Sequence, residues 1–177
     1  LLLGQAMHAA EGVKQGEITD MNKFSTAVGK TVSAAERNAD ITISTIHIVT
    51  PGGNPAVTKH VQTIDIHNQL ISRRDIQRIA LANSHQNLPV GHIQIQNQPG
   101  LYQLDDQKQI ENPLGMCGRQ LSREFSQLSV SHTSYANFAQ AVQQCHLALG
   151  SIHHSAVMAG RACLTEDHRE LGTLLID

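Results

Sequence analysis

The sequence predicts a mixed α/β (α+β) fold, in which one layer of alternating helices and strands is interrupted by a smaller strand-rich insert. Three observations carry this. Met21, Phe24, Val28, Val32 and Ala35 recur at helical spacing near one end of the chain, and Tyr135, Phe138, Val142, Cys145 and Leu149 repeat the pattern near the other. Between them lie runs rich in β-branched residues, separated by Pro- and Gly-containing stretches.

The elements follow in order. Asp20 stands before the first periodic residues, so 20–38 reads as an amphipathic helix with an Asp N-cap. "ITISTIHIV", Ile41 to Val49, is a strand whose apolar phase slips, which predicts a bulge near Ser44–Thr45 or a strand covered on both faces. "TPGGNP" is a loop, and Val57 to Ile66 is a second strand. "SRRD", Ser72 to Asp75, has the form of a capping box with Asp in place of Glu, opening a helix of about three turns through Ile76, Ile79, Ala80 and Asn83. "GHIQIQ" and "GLYQL" read as two strands joined by a turn at "NQPG". "QLSREFSQLSV" is a long strand, and the helix in "SHTSYANFAQAVQQCHLALG" is expected to end at Gly150. A strand at Ser151–Val157, a short helix at Met158–Leu164 and a last strand at Gly172–Asp177 complete the series.

Composition narrows the function classes. Hydrophobic residues make up 40% of the 177, which suits a globular chain, and with no Trp, three Phe and two Tyr the core must be aliphatic. The net charge of −2 provides no basic field, so neither nucleic acid nor an anionic membrane is the expected partner. Apolar runs are far too short to span a bilayer. Three cysteines without a CxxC motif point to a reducing compartment. The abrupt first and last residues read as a piece cut from a longer protein.

Candidate chemistry is sparse. Gly115 and Gly118 in "ENPLGMCGRQL" have the spacing of a phosphate or nucleic-acid cradle, but they lead into a strand rather than a helix N-terminus and have one basic neighbour, so a turn is the better reading. Cys145, His146, His153, His154, Cys163 and His168 cluster late in the chain without the short regular spacings zinc favours; no metal site is expected. Cys145 lies on an apolar stripe and reads as core, not nucleophile. Thr165 to Glu170 reads as a solvated turn capped by Thr165. No catalytic residue emerges. Arg73, Arg74 and Arg78 form a basic patch on the insert's helix, the first candidate for contacting an acidic or phosphorylated partner.

Several segments together resemble the FtsA family of actin-like bacterial cell-division proteins. Asn112, Pro113, Gly115 and Gly118 match that family's asparagine-proline-x-glycine segment and its second glycine. The helix ending in Cys145 follows, then Thr165, Glu166, Asp167, Glu170, Leu171, Gly172 and Asp177. "GVKQGEITD" is similar to the family's glycine-valine-lysine-glycine-x-isoleucine-x-aspartate run. From Thr50 to Asp106 the match is one of pattern.

The resemblance implies a partial actin-like (ribonuclease H-like) subdomain, 1A, at 1–40 and 130–177. Into it a strand-helix-strand-strand insert, 1C or SHS2, is spliced at 41–129. It implies a role in tethering the tubulin-like division protein FtsZ to the membrane, through parts absent here, and in recruiting later division proteins. The insert would serve partner and filament contacts, with strand addition at an open sheet edge as the physical route. ATP and Mg are implied for the full-length parent, at the inner face of the cell membrane. Only Asp177, where the second phosphate motif begins, would touch nucleotide, so this piece is expected to be no enzyme and to hold no cofactor. Nor is direct membrane contact expected of it. The alternative is a fragment of a PilM-like pilus-assembly ATPase, which "NPLGMCG" disfavours. The insert's wealth of Gln, Asn and His departs from the family pattern.

Overall fold

A computed structural model of the chain describes residues 1–81 and 88–176, leaving aside the side chain of Glu170. It is a mixed α/β structure that divides into two units, one formed by Leu1–Pro55 with the chain from Val130 onward, the other by Ala56–Ser129.

The first unit opens with a tight hairpin, β1 (Val13–Lys14) against β2 (Glu17–Ile18). Gln15 and Gly16 turn it with φ of 50° and 75°, the pair of positive values that a two-residue loop requires. The helix α1 (Met21–Ala39) follows, with the Asp20 carboxylate accepting from the Lys23 N–H at 3.0 Å, as the N-cap reading anticipates. Asp40 ends it in the left-handed region at φ 53°, and the Ile41 N–H returns to the Glu36 carbonyl. The Ile43 N–H bonds the Glu36 carboxylate at 2.8 Å. Residues 41–43 are thus occupied in closing α1, so the strand expected from Ile41 begins only at β3 (Thr45–Thr50).

Helix α3 (His132–Gln144) packs on α1, with Phe24 and Phe138 edge-to-face at 5.8 Å and Ala141 and Val142 fully buried. It stops well short of Gly150. The N–H groups of Cys145, His146 and Leu147 fold back onto the carbonyls of Val142 and Gln143, and His146 takes φ 59°, the stop expected of a glycine. The early stop brings β8 (Ala148–His154) forward from the expected 151–157, and α4 (Ser155–Cys163) moves with it. β8 pairs in parallel with β3; the register shifts between Ile46 and His47, where Gly150 is the extra residue. The bulge expected near Ser44–Thr45 is not there: the apolar phase slips because Ile41 and Ile43 precede β3, and the extra residue belongs to the partner strand. After α4, Thr165 caps a short helix, α5 (Glu166–Leu171), where a turn was expected. Residues 172–176 are not a strand; no pairing holds them among the described residues.

The second unit is one four-stranded sheet, ordered β4 (Ala56–Asp65), β7 (Gln120–Ser131), β5 (His92–Leu104), β6 (Gln107–Ile110), with α2 (Arg73–Leu81) packed on β4. It starts at Ala56, not at 41, because β3 belongs to the first unit through β8. β4 and β7 are antiparallel in unbroken register from Ala56↔Ser129 to Asp65↔Gln120. The turn expected at "NQPG" is absent: β5 runs straight through it. Pro99 lies inside that strand, before the first β6 pair at Tyr102. The chain turns instead at Asp105 (φ 49°), whose carboxylate accepts from the Arg119 and Gln120 N–H groups. The core is aliphatic, as composition requires: Ile66, Ile71, Ile79, Leu104, Ile110 and Leu121, with Tyr102, all under 7% exposed.

Candidate interaction surface

The glycine segment is a turn. Gly115 donates to the Ile71 carbonyl at 3.0 Å and Gly118 to the Gln69 carbonyl at 2.9 Å, while Ile71 donates to Met116. Both glycine N–H groups that a phosphate would need are committed to backbone. Gly118 is glycine because a Cβ there would lie 2.3 Å from Leu104 Cδ1.

The three arginines separate. Ser72 and Asp75 form the reciprocal cap: the Ser72 N–H and hydroxyl donate to Asp75 Oδ2 at 3.0 and 2.6 Å, and the Asp75 N–H donates weakly to Ser72 Oγ at 3.4 Å. Arg78 Nη2 donates to the Asp65 carbonyl and sits 3.7 Å from Asp75 Oδ1, so it ties α2 to the end of β4. It is a structural staple within the unit. Arg73 and Arg74 stay exposed on the first turn of α2, and no hydrogen bond or ion pair holds either among the described residues.

Ser72's hydrogen bonds, ahead of Arg78, hold the Asp75 carboxyl below its ordinary value of 3.8. A carboxyl lowered in the folded state adds stability that is present above that ordinary value and is lost as pH falls through the folded value. Asp75→Asn is therefore expected to cost about 1 kcal/mol at neutral pH, as for loss of a helix cap. In melts recorded from neutral pH down to about pH 2 the deficit should disappear at the acid end; an unchanged deficit there contradicts the assignment.

The open flank of the sheet was not legible in the sequence. Among the described residues β4 is an edge strand, and its hydrogen-bonding direction follows from one contact. Ile66 donates to the Arg119 carbonyl at 2.7 Å, in the same register that pairs β4 with β7. Even-numbered residues of β4 therefore bond β7, and Val57, Lys59, Val61 and Thr63 turn their N–H and C=O groups to the free edge, where Asp65 offers its N–H and gives its carbonyl to Arg78. The same five side chains point away from the α2 face. Val57 is 67% and Val61 62% exposed, unusual for β-branched residues on a ten-residue edge.

Other expected chemistry does not assemble. Asp177 lies outside the described residues. Among the described residues no three His, Cys, Asp or Glu side chains converge to hold a metal. His153 and His154 share β8; His153 meets Ser151 Oγ at 2.7 Å, and His47 of β3 reaches the same oxygen at 2.6 Å. Cys145 is half-buried at the end of α3, its Sγ donating to the Ser25 carbonyl at 3.2 Å, and burial pushes its thiol up, away from nucleophilic chemistry. No helix among the described residues is long and apolar enough to cross a membrane.

Residues 52–128 match the family model of the SHS2 domain inserted in FtsA. Over 176 residues, 99% of the chain, the sequence is 27% identical to the cell division protein FtsA of Agrobacterium fabrum and 28% identical to that of Rhizobium meliloti, covering 40% of each. It is 22% identical to FtsA of Escherichia coli K12, covering 42% of that protein. The chain thus spans about 40% of the length of the curated relatives it matches. Among solved structures, the PilM–PilN type IV pilus biogenesis complex aligns with a TM-score of 0.49 and 8% identity, over 87% of this chain and 40% of that one.

Proposed function

We propose, from the match of residues 52–128 to the SHS2 domain inserted in FtsA and the similarity of the chain to bacterial FtsA proteins, that its second unit is a protein–protein interaction module of the division machinery. The match of the insert carries this reading. The open β4 edge and the exposed Arg73 and Arg74 are the surfaces that support it. In the full-length parent the module serves filament contacts and recruits later division proteins, while other parts tether FtsZ at the inner face of the cell membrane. ATP and Mg belong to the parent, with Asp177 at the start of a phosphate motif; residues 1–176 contribute no catalytic group. The module needs neither nucleic acid nor lipid.

Arg73 and Arg74 present two cations on one exposed helix turn, suited to an acidic partner segment. Arg73→Glu with Arg74→Glu is expected to weaken capture of a division partner about tenfold or more, as reversal of two interfacial charges does. Two-hybrid and pull-down assays against the cell's own division proteins measure it, with melting temperature as the control for folding. Unchanged capture at an unchanged melting temperature removes the arginines from the interface. Arg78 is left intact because its loss would disturb the fold.

A further inference from the structure

We propose that β4 pairs with β4 of a second copy of this chain, antiparallel and centred on Gln62. The inference rests on reading the second unit as an interaction module and names one occupant for its open edge. Val57, Lys59, Val61 and Thr63 turn both backbone groups outward and Asp65 its N–H, its carbonyl being held by Arg78, so a second strand would bond to these groups.

Symmetry restricts the register. A two-fold axis normal to the sheet keeps each face on its own side, so outward residues must oppose outward residues and the axis passes through a residue of β4. About Val61, Val57 would face Asp65 and Lys59 would face Thr63, leaving charges against uncharged side chains. About His60, Lys59 would face Val61. About Gln62, Lys59 faces Asp65 of the second copy, and the reverse contact repeats it. Val61 faces Thr63 twice, and the two Gln62 amides meet on the axis. Of the three, only the last places opposite charges across the strands. It also covers Val61, now 62% exposed. Lys59 already neighbours Glu124 at 3.3 Å, but both groups are exposed and the pair leaves the ammonium free to take a second carboxylate.

One strand pair buries less than the roughly 1,200 Å² of a stable interface, so the dissociation constant should be on the order of 100 µM. Such an affinity matters where copies are held close together, as along a filament.

Sedimentation velocity of the chain from about 10 µM to about 1 mM reads the association. The expected result is a reversible dimer. Lys59→Glu and Asp65→Lys should each weaken it about tenfold, since each places two like-charge pairs across the axis. The double variant, with both charges exchanged, should recover to within about threefold of the original, because both opposite-charge pairs are rebuilt. All three changes lie on exposed side chains, and melting temperature confirms the fold. A monomer throughout the range, or a double variant as weak as the singles, overturns the pairing. Either result leaves the module reading standing, since partner capture decides that separately.

Discussion

Replacing Ile79 with alanine should cost the second unit about 3–4 kcal/mol, the range for emptying a fully buried aliphatic site. Ile79 is 0% exposed and lies among Ile66, Ile71, Tyr102, Leu104, Ile110 and Leu121. Among the described residues α2 is the sole helix of the unit, so no second helix can close over the void. A unit of this length has about 4–11 kcal/mol of stability in all, so the loss takes from about a third of it to nearly all. Unfolding should split into two transitions, the earlier from the second unit. Hydrogen exchange should then show amides of β4 and β7 losing protection while those of α1 and α3 keep theirs. Ile76→Ala, at a partly buried position on the same helix, should cost less. A penalty for Ile79→Ala below about 1 kcal/mol means α2 is not the lid of this core.

The contrast between Ile79 and the nearby arginines shows what periodicity can and cannot reveal. Helix α2, its Ser72–Asp75 cap and its buried face follow from spacing along the chain, and so do α1 with its Asp20 cap and the run of β4. These are local facts, and local chemistry decides them. Arg78 looks equivalent to Arg73 and Arg74 in sequence. Only the approach of β4's end, where Asp65 offers its carbonyl, converts it from a surface cation into a staple.

The same limit explains the errors. "NQPG" has the composition of a turn, yet whether Pro99 breaks a strand depends on whether a neighbouring strand needs its N–H, which the residues of β5 alone do not say. Gly150 looks like a helix stop, yet His146 accepts the left-handed conformation first and Gly150 is left to make a bulge. An added Cβ at Gly150 would lie 2.6 Å from His47 Cε1, so its role was set by a residue far away in sequence. The polarity of the β4 edge needed the Ile66–Arg119 bond, which no single strand carries. The resemblance of "ENPLGMCGRQL" to a family segment was legible because its residues are fixed by backbone demands: Asn112 accepting from Leu114, and Gly115 at φ 79°.

Those backbone demands are sharpest in the first unit at Gly52, where an alanine should be among the most damaging single changes the chain can take. Its Cβ would lie 2.1 Å from the Gly16 carbonyl oxygen and 2.4 Å from the Gly16 carbonyl carbon, both main-chain atoms that no rotamer can move aside. Gly16 itself sits at φ 75° with Gly52 N only 2.3 Å from where its own Cβ would be, so the two glycines meet back to back. Parting them pulls on a linked set of hydrogen bonds. Thr50 Oγ1 donates to the Gly16 carbonyl at 3.0 Å and accepts from the Gly52 N–H at 3.1 Å. The Glu17 carboxylate accepts from the Gly53 N–H with one oxygen and from the Ser134 hydroxyl with the other, at 2.7 Å. Overpacking costs about 1–3 kcal/mol, and each buried group left unpaired about as much again, so Gly52→Ala should lose at least about 3 kcal/mol from the first unit. Gly160→Ala is the control: nothing lies within 4 Å of its Cβ position in the interior of α4, and it should gain about 0.5–1 kcal/mol from helix propensity alone. Calorimetry of both variants should move the first unit's transition in opposite directions and leave the second unit's in place. If Gly52→Ala melts with the parent, the hairpin and the 51–55 loop are not locked together.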